Sequence, residues 1–449
     1  MNALAECGRA AYHPDADVPL FKRFNSEHGE HLLVVPHSRI YQLPADLAAR
    51  FDAGDAETIH LAEALAQTCT GEDSLQQIPE PEPQNLSLNV SSSCNLACSY
   101  CYADRGAFHG AEVASMDSVT ARAAIDRLFT AADAARPVTI GFLGGEPFVN
   151  RALIHDTVDY AARIGKVRGF DVRFAVTTNA TLLRADDLAL LRRHPFAVTV
   201  SLDGGAAVQD AQRPTRGGKP SFDIVRSRIG ALLADPGRAR IAARATVTCD
   251  HLDVEDTFRS IRALGFREVG VAPLRASPSG NALKAEDWPR YLDALLRLAR
   301  SEIGAALNGG IIALSNLAIA LKQLHRGASA PFPCGAGGGY FSVSAQGRWY
   351  ACHRAIGAIA YELGDNNGLD RGKRRAFLEA RHVDAQADCR VCWARYLCSG
   401  GCHQEKAARD QPSCDFIRGW LMFCLRTYCD LIDRRPDYFA EPSAEEFSA

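Results

Sequence analysis

The pattern of apolar and polar positions is most regular between residues 85 and 275, where short apolar runs alternate with longer segments of helical period. Strands are predicted at Asn85–Val90, Val138–Leu143, Asp171–Thr177, Ala197–Leu202, Arg240–Thr246 and Glu268–Ala272. Helices are predicted between them at Met116–Phe129, Arg151–Ile164, Ala185–Arg193, Phe222–Ala234 and Val254–Leu264. Such repeats predict parallel strands with right-handed crossovers. Because six repeats are fewer than the eight of a closed barrel, we expect an α/β fold, a partial (β/α)6 TIM barrel, with its site at the carboxyl ends of the strands.

The segments on either side of this region have different patterns. Residues 1–77 predict a small α+β, winged-helix-like unit, with a hairpin of His31–Pro36 and Ser38–Leu43 followed by helices at Pro44–Phe51 and Asp55–Thr68. A Pro- and Glu-rich stretch at residues 78–84 predicts an extended linker. Helical segments between Ala285 and Gln323 complete a barrel domain at residues 85–325. The tail, 326–449, is rich in Gly and Cys, and we expect few long helices and metal-stabilised loops there.

Composition and charge narrow the class of protein. The chain has 449 residues, of which 47% are hydrophobic and 23% charged, and its net charge is -3. This balance predicts a globular protein with neither nucleic acid nor membrane as a partner. We find no secretory signal pattern at the start of the chain and no apolar run of membrane-spanning length, so we expect a cytoplasmic protein.

The number of cysteines is unusual for such a protein. There are 15, with three between Cys94 and Cys101 and eight between Cys334 and Cys424. Cytoplasmic proteins rarely use cysteines for disulfides, so this clustering indicates metal or iron–sulfur sites. Four cysteines outside the two clusters are interpreted as ordinary thiols: Cys7, Cys69, Cys249 and Cys429.

The first cysteine cluster, Cys94-x3-Cys98-x2-Cys101, directly follows the first predicted barrel strand. Iron–sulfur clusters are normally held by four thiolates, so three thiolates on one loop leave one iron for an external ligand. A structural zinc site is the alternative, although zinc usually takes four ligands in paired spacings.

This motif, with Tyr100 before its last cysteine, resembles the signature of radical S-adenosylmethionine (SAM) enzymes. The resemblance covers roughly residues 85–275 and implies a [4Fe–4S] cluster on Cys94, Cys98 and Cys101. The family's open iron binds the amino and carboxylate groups of SAM, and an electron from the cluster cleaves SAM to a 5′-deoxyadenosyl radical.

Further strand-end motifs follow in the order that the family shows. The resemblance implies SAM contacts from Gly144, Gly145, Glu146, Thr178, Asn179, Ser201, Asp203 and Arg213. Glycines allow close backbone approach, and a carboxylate at Glu146 suits a cationic ammonium. A base for a substrate thiol is also needed. Asp203 and Asp210 are the candidate bases, and structural or SAM-binding roles for both remain open.

The cysteines of the tail resemble the SPASM domain, the auxiliary-cluster extension of peptide- and protein-modifying radical SAM enzymes. The resemblance assigns Cys334, Cys352 and Cys402 to one cluster and Cys389, Cys392, Cys398 and Cys414 to a second, giving three [4Fe–4S] clusters in all. The first set lacks a fourth thiolate. Either another residue completes it, with Cys424 as a candidate, or its open iron takes a substrate thiol. A pair of zinc sites is the alternative for the whole tail.

Three segments, residues 94–110, 141–150 and 334–354, most resemble the maturation enzymes of quinohemoprotein amine dehydrogenases. That resemblance implies thioether crosslinks, within a peptide, from Cys sulfur to the methylene carbons of Asp or Glu. It also implies a peptide or small protein substrate with a leader segment, which residues 1–77 would bind, and a reducing electron donor. The enzyme alternative is formylglycine formation by a sulfatase-maturating enzyme, whose family carries Asp at the position of His353. The non-enzyme alternative is an iron–sulfur or zinc binding module.

Overall fold

The computed structural model describes residues 18–67, 81–104, 114–277, 279–327 and 329–440. The N-terminal unit is an antiparallel sheet followed by two helices: β1 (Phe21–Ser26), β2 (Gly29–Val34), β3 (Arg39–Leu43), α1 (Ala45–Asp52) and α2 (Ala56–Gln67). The predicted hairpin is β2 and β3, and strand β1 was not predicted from the sequence. Cys7, Cys69 and the first part of the predicted linker lie outside the described residues.

All six predicted barrel strands are confirmed, each within one residue of its predicted start and two of its predicted end. They are β4 (Asn85–Ser91), β5 (Val138–Gly144), β6 (Val172–Thr178), β7 (Phe196–Ser201), β8 (Arg240–Val247) and β9 (Glu268–Pro273). They pair in sequence order and in parallel. Every second residue of these strands is buried against the outer helices, so the remaining positions line the inside of the partial barrel.

The outer layer is made of helices that follow the strands. They are α3 (Ser118–Ala131), α4 (Arg151–Arg168), α5 (Ala185–Arg193), α6 (Ala206–Gln212), α7 (Phe222–Ala234), α8 (Val254–Ala263), α9 (Asp287–Leu307) and α10 (Ser315–His325). Side chains cap the starts of α3 and α8, where Asp117 and Asp253 accept backbone N–H groups. Glu302 receives the Ala313 and Leu314 amides, which fixes the connection between α9 and α10. This packing positions the strand ends.

The tail has more regular structure than its sequence predicted. It contains β10 (Tyr340–Val343), β11 (Arg348–Tyr350), β12 (Glu362–Asp365), β13 (Gly368–Leu369), α11 (Arg371–Arg381), α12 (Ala387–Arg390), α13 (Arg395–Cys398) and α14 (Gln411–Arg434). The expectation of few long helices was wrong for α14, which has 24 residues. Its apolar positions include Phe416, Trp420 and Leu425, which join the main core, so the tail does not depend on metal alone.

The tail is also joined to the barrel by main-chain hydrogen bonds. Strand β10 pairs in parallel with β4, with Tyr340 opposite Asn85, and β11–β13 continue the sheet as antiparallel strands. The barrel strands and the tail therefore form one ten-stranded sheet. Among the helices that the structure describes, none has the length and apolar content needed to cross a membrane.

Candidate active site at the strand ends

The loop that carries Cys94 lies against the end of β5. The amides of Gly145 and Glu146 donate to the carbonyls of Ser91 and Ser93 at 2.9 and 2.8 Å. A Cβ at Gly144 would come within 2.2 Å of the Ser91 carbonyl oxygen, and one at Gly145 within 2.4 Å of the Ser93 oxygen. Two glycines are required here because only a backbone without side chains can approach the cysteine loop so closely.

Glu146 is a buried clamp between β5 and β6. Its carboxylate accepts the Thr178 hydroxyl and the Asn179 amide, both at 2.7 Å, and the Phe148 amide at 3.2 Å. Burial raises the pKa of Glu146 to about 7, while these donors oppose the rise. The Glu146 carboxylate therefore already joins the ends of β5 and β6. In the predicted contact, the ammonium group of SAM would bind to this same carboxylate in addition to its protein donors.

The Asn179 side chain connects this clamp to the cysteines. Its Nδ2 donates to Asn95 Oδ1 at 3.0 Å and lies 3.8 Å from Cys94 Sγ, and its Oδ1 accepts from Thr181. Burial raises the pKa of Cys94 to about 12, although the Leu96 amide donates toward its sulfur. A thiol held in this way needs a metal to ionise it at neutral pH.

Asp203 and Arg213 form a buried ion pair on the other side of the loop. Arg213 Nε and Nη2 donate to the two Asp203 oxygens at 2.9 and 3.1 Å, and the guanidinium lies over the Tyr100 ring at 5.2 Å. The Tyr100 hydroxyl also donates to Asp203. Arg213 Nη1 lies 4.0 Å from Cys98 Sγ. Arg213 is thus a buried member of the site and not a solvated surface arginine.

The two candidate bases are both occupied by protein donors. Besides Arg213 and Tyr100, Asp203 accepts the Thr246 amide at 2.9 Å. Asp210 Oδ1 accepts the Ser221 and Phe222 amides, both at 2.7 Å, at the start of α7. These bonds favour the structural roles that the sequence had left open, because both carboxylates already accept hydrogen bonds from protein donors. Ser201 ends β7 on the inner face of the barrel, in register with Arg244.

The residues around the first cysteine cluster fit SAM as well as the metal. Three buried oxygen atoms at these strand ends have no hydrogen-bond partner among the described residues: Asn89 Oδ1, Gln212 Oε1 and Thr248 Oγ1. An unpartnered buried polar atom is costly, so it indicates a ligand or water that completes it. Together with the glycine pair, these atoms form a polar cradle suited to the ammonium and hydroxyl groups of SAM.

Electrostatic coupling places the tail cysteines in two groups. Burial raises the pKa of Cys352 to about 11, and the nearby thiols Cys402 and Cys334 raise it further. Arg354 Nη1 lies 3.7 Å from Cys402 Sγ. Burial raises the pKa of Cys334, and the positive charge of buried Arg381 opposes that rise. Cationic donors around three thiols fit the negative charge of a thiolate-bound cluster.

The second group consists of Cys389, Cys392, Cys398 and Cys414. Burial raises the pKa of Cys398 to about 11, and the other three thiols raise it further. Arg409 Nη1 lies 3.1 Å from Cys389 Sγ and Arg418 Nη1 lies 4.0 Å from Cys392 Sγ. The structure thus brings together the same two sets that the resemblance assigned. The ligand roles themselves stay a prediction.

Cys424 does not complete the first tail set. It is fully buried in α14, and burial alone raises its pKa, with no contribution from another cysteine. The side chain next to Cys352 is instead His403, whose Nε2 lies 3.2 Å from Cys352 Sγ. That distance fits an N–H to sulfur hydrogen bond, since the ligands of a four-iron cube bind different irons and stand further apart. The sequence analysis missed His403, although it directly follows Cys402.

The spacing of the thiols also bears on the zinc alternative. Across the described residues, no three cysteine sulfurs lie within 4.8 Å of one another. A tetrahedral zinc with Zn–S bonds of about 2.3 Å holds its sulfurs about 3.8 Å apart. Among the described residues, no set of three thiols therefore has the spacing of a zinc site. None of the 13 cysteines in the described part of the chain forms a disulfide bond.

A group of aromatic and basic residues lies between the first cysteine cluster and Cys352. The Tyr340 hydroxyl is 3.0 Å from His353 Nδ1, and the His353 ring contacts Tyr102, which follows Cys101. Arg354 lies over Tyr102 and pairs with Glu405 at 2.6 Å. Burial lowers the pKa of His353 to about 4, and positively charged arginines nearby lower it further. His353 is therefore neutral at physiological pH, and this region connects the two predicted cluster sites.

Comparisons with known proteins agree with this geometry. A family profile described as "Radical SAM superfamily" matches residues 88–234. The serine-type anaerobic sulfatase-maturating enzyme of Klebsiella aerogenes is 26% identical over 357 residues, which cover 73% of this chain and 83% of that protein. The mycofactocin maturase MftC of Mycolicibacterium smegmatis is 27% identical over 354 residues, covering 75% and 83%.

Solved structures show the same fold at lower identity. The enzyme anSMEcpe with bound AdoMet superposes with a TM-score of 0.66 at 17% identity and covers 78% of this chain and 100% of its own. SuiB of Streptococcus suis gives 0.51 at 12% identity and covers 88% and 96%. The fold is the radical SAM α/β fold, with a partial barrel and a Cys-rich C-terminal region. Proteins named as a sulfatase-maturating enzyme and as a maturase are among its relatives.

Proposed function

We propose that this chain is a radical SAM enzyme that forms thioether crosslinks between a Cys sulfur and the methylene carbon of an Asp or Glu in a peptide or small protein. Cys94, Cys98 and Cys101 would hold the cluster that binds SAM. The sets Cys334/Cys352/Cys402 and Cys389/Cys392/Cys398/Cys414 would hold two auxiliary clusters. The cofactors supply a 5′-deoxyadenosyl radical and an acceptor for one electron.

The observation that carries the proposal is the set of three thiols around Cys352. The described part of the chain provides no fourth cysteine near it, because Cys424 is buried in α14 and His403 makes a hydrogen bond to Cys352 instead. A four-iron cluster on three thiolates leaves one position that a substrate thiolate fills. Cys352 adjoins His353, whose ring contacts Tyr102 beside Cys101, so a cluster held at Cys352 would lie near the predicted SAM site.

The proposed reaction is an oxidation that removes two hydrogens from the peptide. The substrate carbon would give one hydrogen atom to the deoxyadenosyl radical, and the thiol would lose its proton. The new C–S bond releases one further electron. The chain's own residues bind the substrate, position its carbon near the strand ends and keep water out. Asp203 and Asp210 remain the bases suggested by sequence, but their protein donors favour solvent or another group as the proton acceptor.

The N-terminal sheet supports a peptide substrate with a leader segment. Strand β1 lies beside α14, where Glu27 contacts Asp430 and Arg434. Strand β3 is the opposite edge of this sheet, and its Arg39, Tyr41 and Gln42 are exposed. An exposed edge strand can pair with an extended peptide by strand addition. The proposed leader therefore binds along β3.

Formylglycine formation is the second candidate, and the relatives favour it. The protein of Klebsiella aerogenes is named as a sulfatase-maturating enzyme, and its likeness extends over 73% of this chain. His353 counts against that activity because it stands where that family carries Asp, and its Nδ1 is held by Tyr340.

Product analysis separates the two candidates. The reconstituted full chain is incubated without oxygen with SAM, dithionite and Gly/Ser-rich peptides that carry one Cys and one Glu. Crosslinking predicts a loss of two hydrogens and a Cys that no longer reacts with iodoacetamide. An unchanged thiol, or an aldehyde that reacts with a hydrazine, would contradict the proposal and favour formylglycine. The Glu-to-Gln peptide is the matched control.

A further inference from the structure

The inner face of the barrel is lined mostly by small side chains. Along the strands, the inward positions include Ser87, Gly141, Ala175, Thr199 and Gly270. These small residues occupy little of the space that the strands enclose. A large charged side chain that projects into this space is therefore unusual and is a candidate to contact substrate.

Arg244 is such a side chain. It lies on β8, where its neighbours Ala243 and Ala245 are buried on the outer face, so Arg244 is on the inner face. It is in register with Ser201 on β7 and Gly270 on β9. Its side chain is exposed to the barrel interior, and Gly270 leaves it room to move.

The other arginines near this space are paired with carboxylates. Arg213 pairs with Asp203, and Glu405 pairs with both Arg354 and Arg275. Lower on the same strand, Arg240 pairs with Glu268 at 2.8 Å. Arg244 has no hydrogen bond or ion pair from its side chain to any residue in the described ranges.

The position of Arg244 relates it to the first predicted cluster site. Its register partner Ser201 ends β7, and the segment that follows carries Asp203, whose partner Arg213 lies 4.0 Å from Cys98 Sγ. An unpaired guanidinium on this inner face suits a planar carboxylate, which it binds through two parallel hydrogen bonds. Ser201, on the adjacent strand, supplies a further hydroxyl donor at the same level.

We infer that Arg244 is a carboxylate-binding residue that receives the side chain of the substrate's Asp or Glu and so places its methylene carbon at the radical site. The inference rests on the proposed function, for which it names the acidic residue as the group recognised. The carboxylate of SAM is the other group of this chemistry that would fit Arg244. Binding of the peptide and binding of SAM are therefore measured separately.

The experiment uses the reconstituted full chain and its R244Q, R244K and R240Q variants. Calorimetry without oxygen measures binding of a Gly/Ser-rich peptide with one Cys and one Glu, and of its Glu-to-Gln counterpart. A charge-assisted pair contributes about 1.5–3 kcal/mol, so we expect the wild type to prefer the Glu peptide by about tenfold or more. R244Q should lose the preference, R244K should keep part of it, and R240Q should keep it fully.

The second arm measures binding of SAM and of decarboxylated SAM to the same proteins, with iron content as the check on folding. Affinity for SAM should be the same in wild type and R244Q. The inference is overturned if R244Q weakens SAM but not decarboxylated SAM, or if the wild type shows no preference for the Glu peptide. Calorimetry measures binding without turnover, so it is independent of the product analysis. If the wild type prefers the Glu peptide but forms no crosslink, the proposed function is rejected and the role of Arg244 in binding a carboxylate still holds.

Discussion

The buried pair of Asp203 and Arg213 allows a prediction of defined size. Asp203 is 1% exposed and Arg213 9%, and two hydrogen bonds join them. D203N keeps the shape of the side chain but leaves the guanidinium without its counter-charge. Removal of one partner of a buried ion pair costs about 3–5 kcal/mol. The surface pair Arg226–Asp223, with side chains 61% and 79% exposed, is the matched control, and D223N should cost less than about 1 kcal/mol.

The assay is urea unfolding of the reconstituted proteins without oxygen, followed by tryptophan fluorescence. D203N should lower the midpoint markedly and D223N hardly at all. The double variant D203N/R213Q should be more stable than the sum of its single variants predicts, since it removes both charges together. D203N should also lose iron, because Asp203 holds Tyr100 in the cysteine loop. If D203N is as stable as D223N, the pair does not anchor that loop.

Three further predictions follow from single groups. The pKa of Glu146 rises from 4.5 to about 7 on folding, so its contribution to the free energy of unfolding falls by up to about 3 kcal/mol as pH rises through that range. When the free energy of unfolding is measured at a series of pH values, E146Q should remove this fall. The same dependence on pH in E146Q and wild type would contradict the prediction. H403A should lower the reduction potential of the cluster at Cys352, since it removes a donor to sulfur. EPR-monitored titration checks this, with H325A as the control variant, and equal potentials would refute it. C424A should keep the full iron content because Cys424 is not expected to be a cluster ligand, whereas C352A should lose about four irons. Loss of iron in C424A would show that Cys424 is a ligand after all.

The barrel could be predicted well from the sequence because its strands and helices differ in length and in the period of their apolar residues. Each of the six strands has an apolar outer face that only one register can bury. Strand β1, Phe21–Ser26, was missed because its Lys and Arg interrupt the apolar alternation. The length of α14 was missed because its cysteines and charges obscure an apolar stripe that packs against α9.

The candidate site was predictable where its chemistry is local. The three cysteines of the first loop and the Gly-Gly-Glu motif carry their spacing in the sequence. The pairing of Arg213 with Asp203 and the contact between His403 and Cys352 depend on which loops the fold brings together. One signal was available for Arg244, because it is a charged residue flanked by alanines in the middle of a barrel strand.

Cleavage of SAM tests the central claim most directly. The full chain, reconstituted with iron and sulfide and reduced with dithionite, should convert SAM to 5′-deoxyadenosine. The variant with Cys94, Cys98 and Cys101 all changed to Ala should lose this product while retaining about eight irons in the tail. Cleavage that persists in the triple variant, or its absence in the fully loaded wild type, would contradict the account.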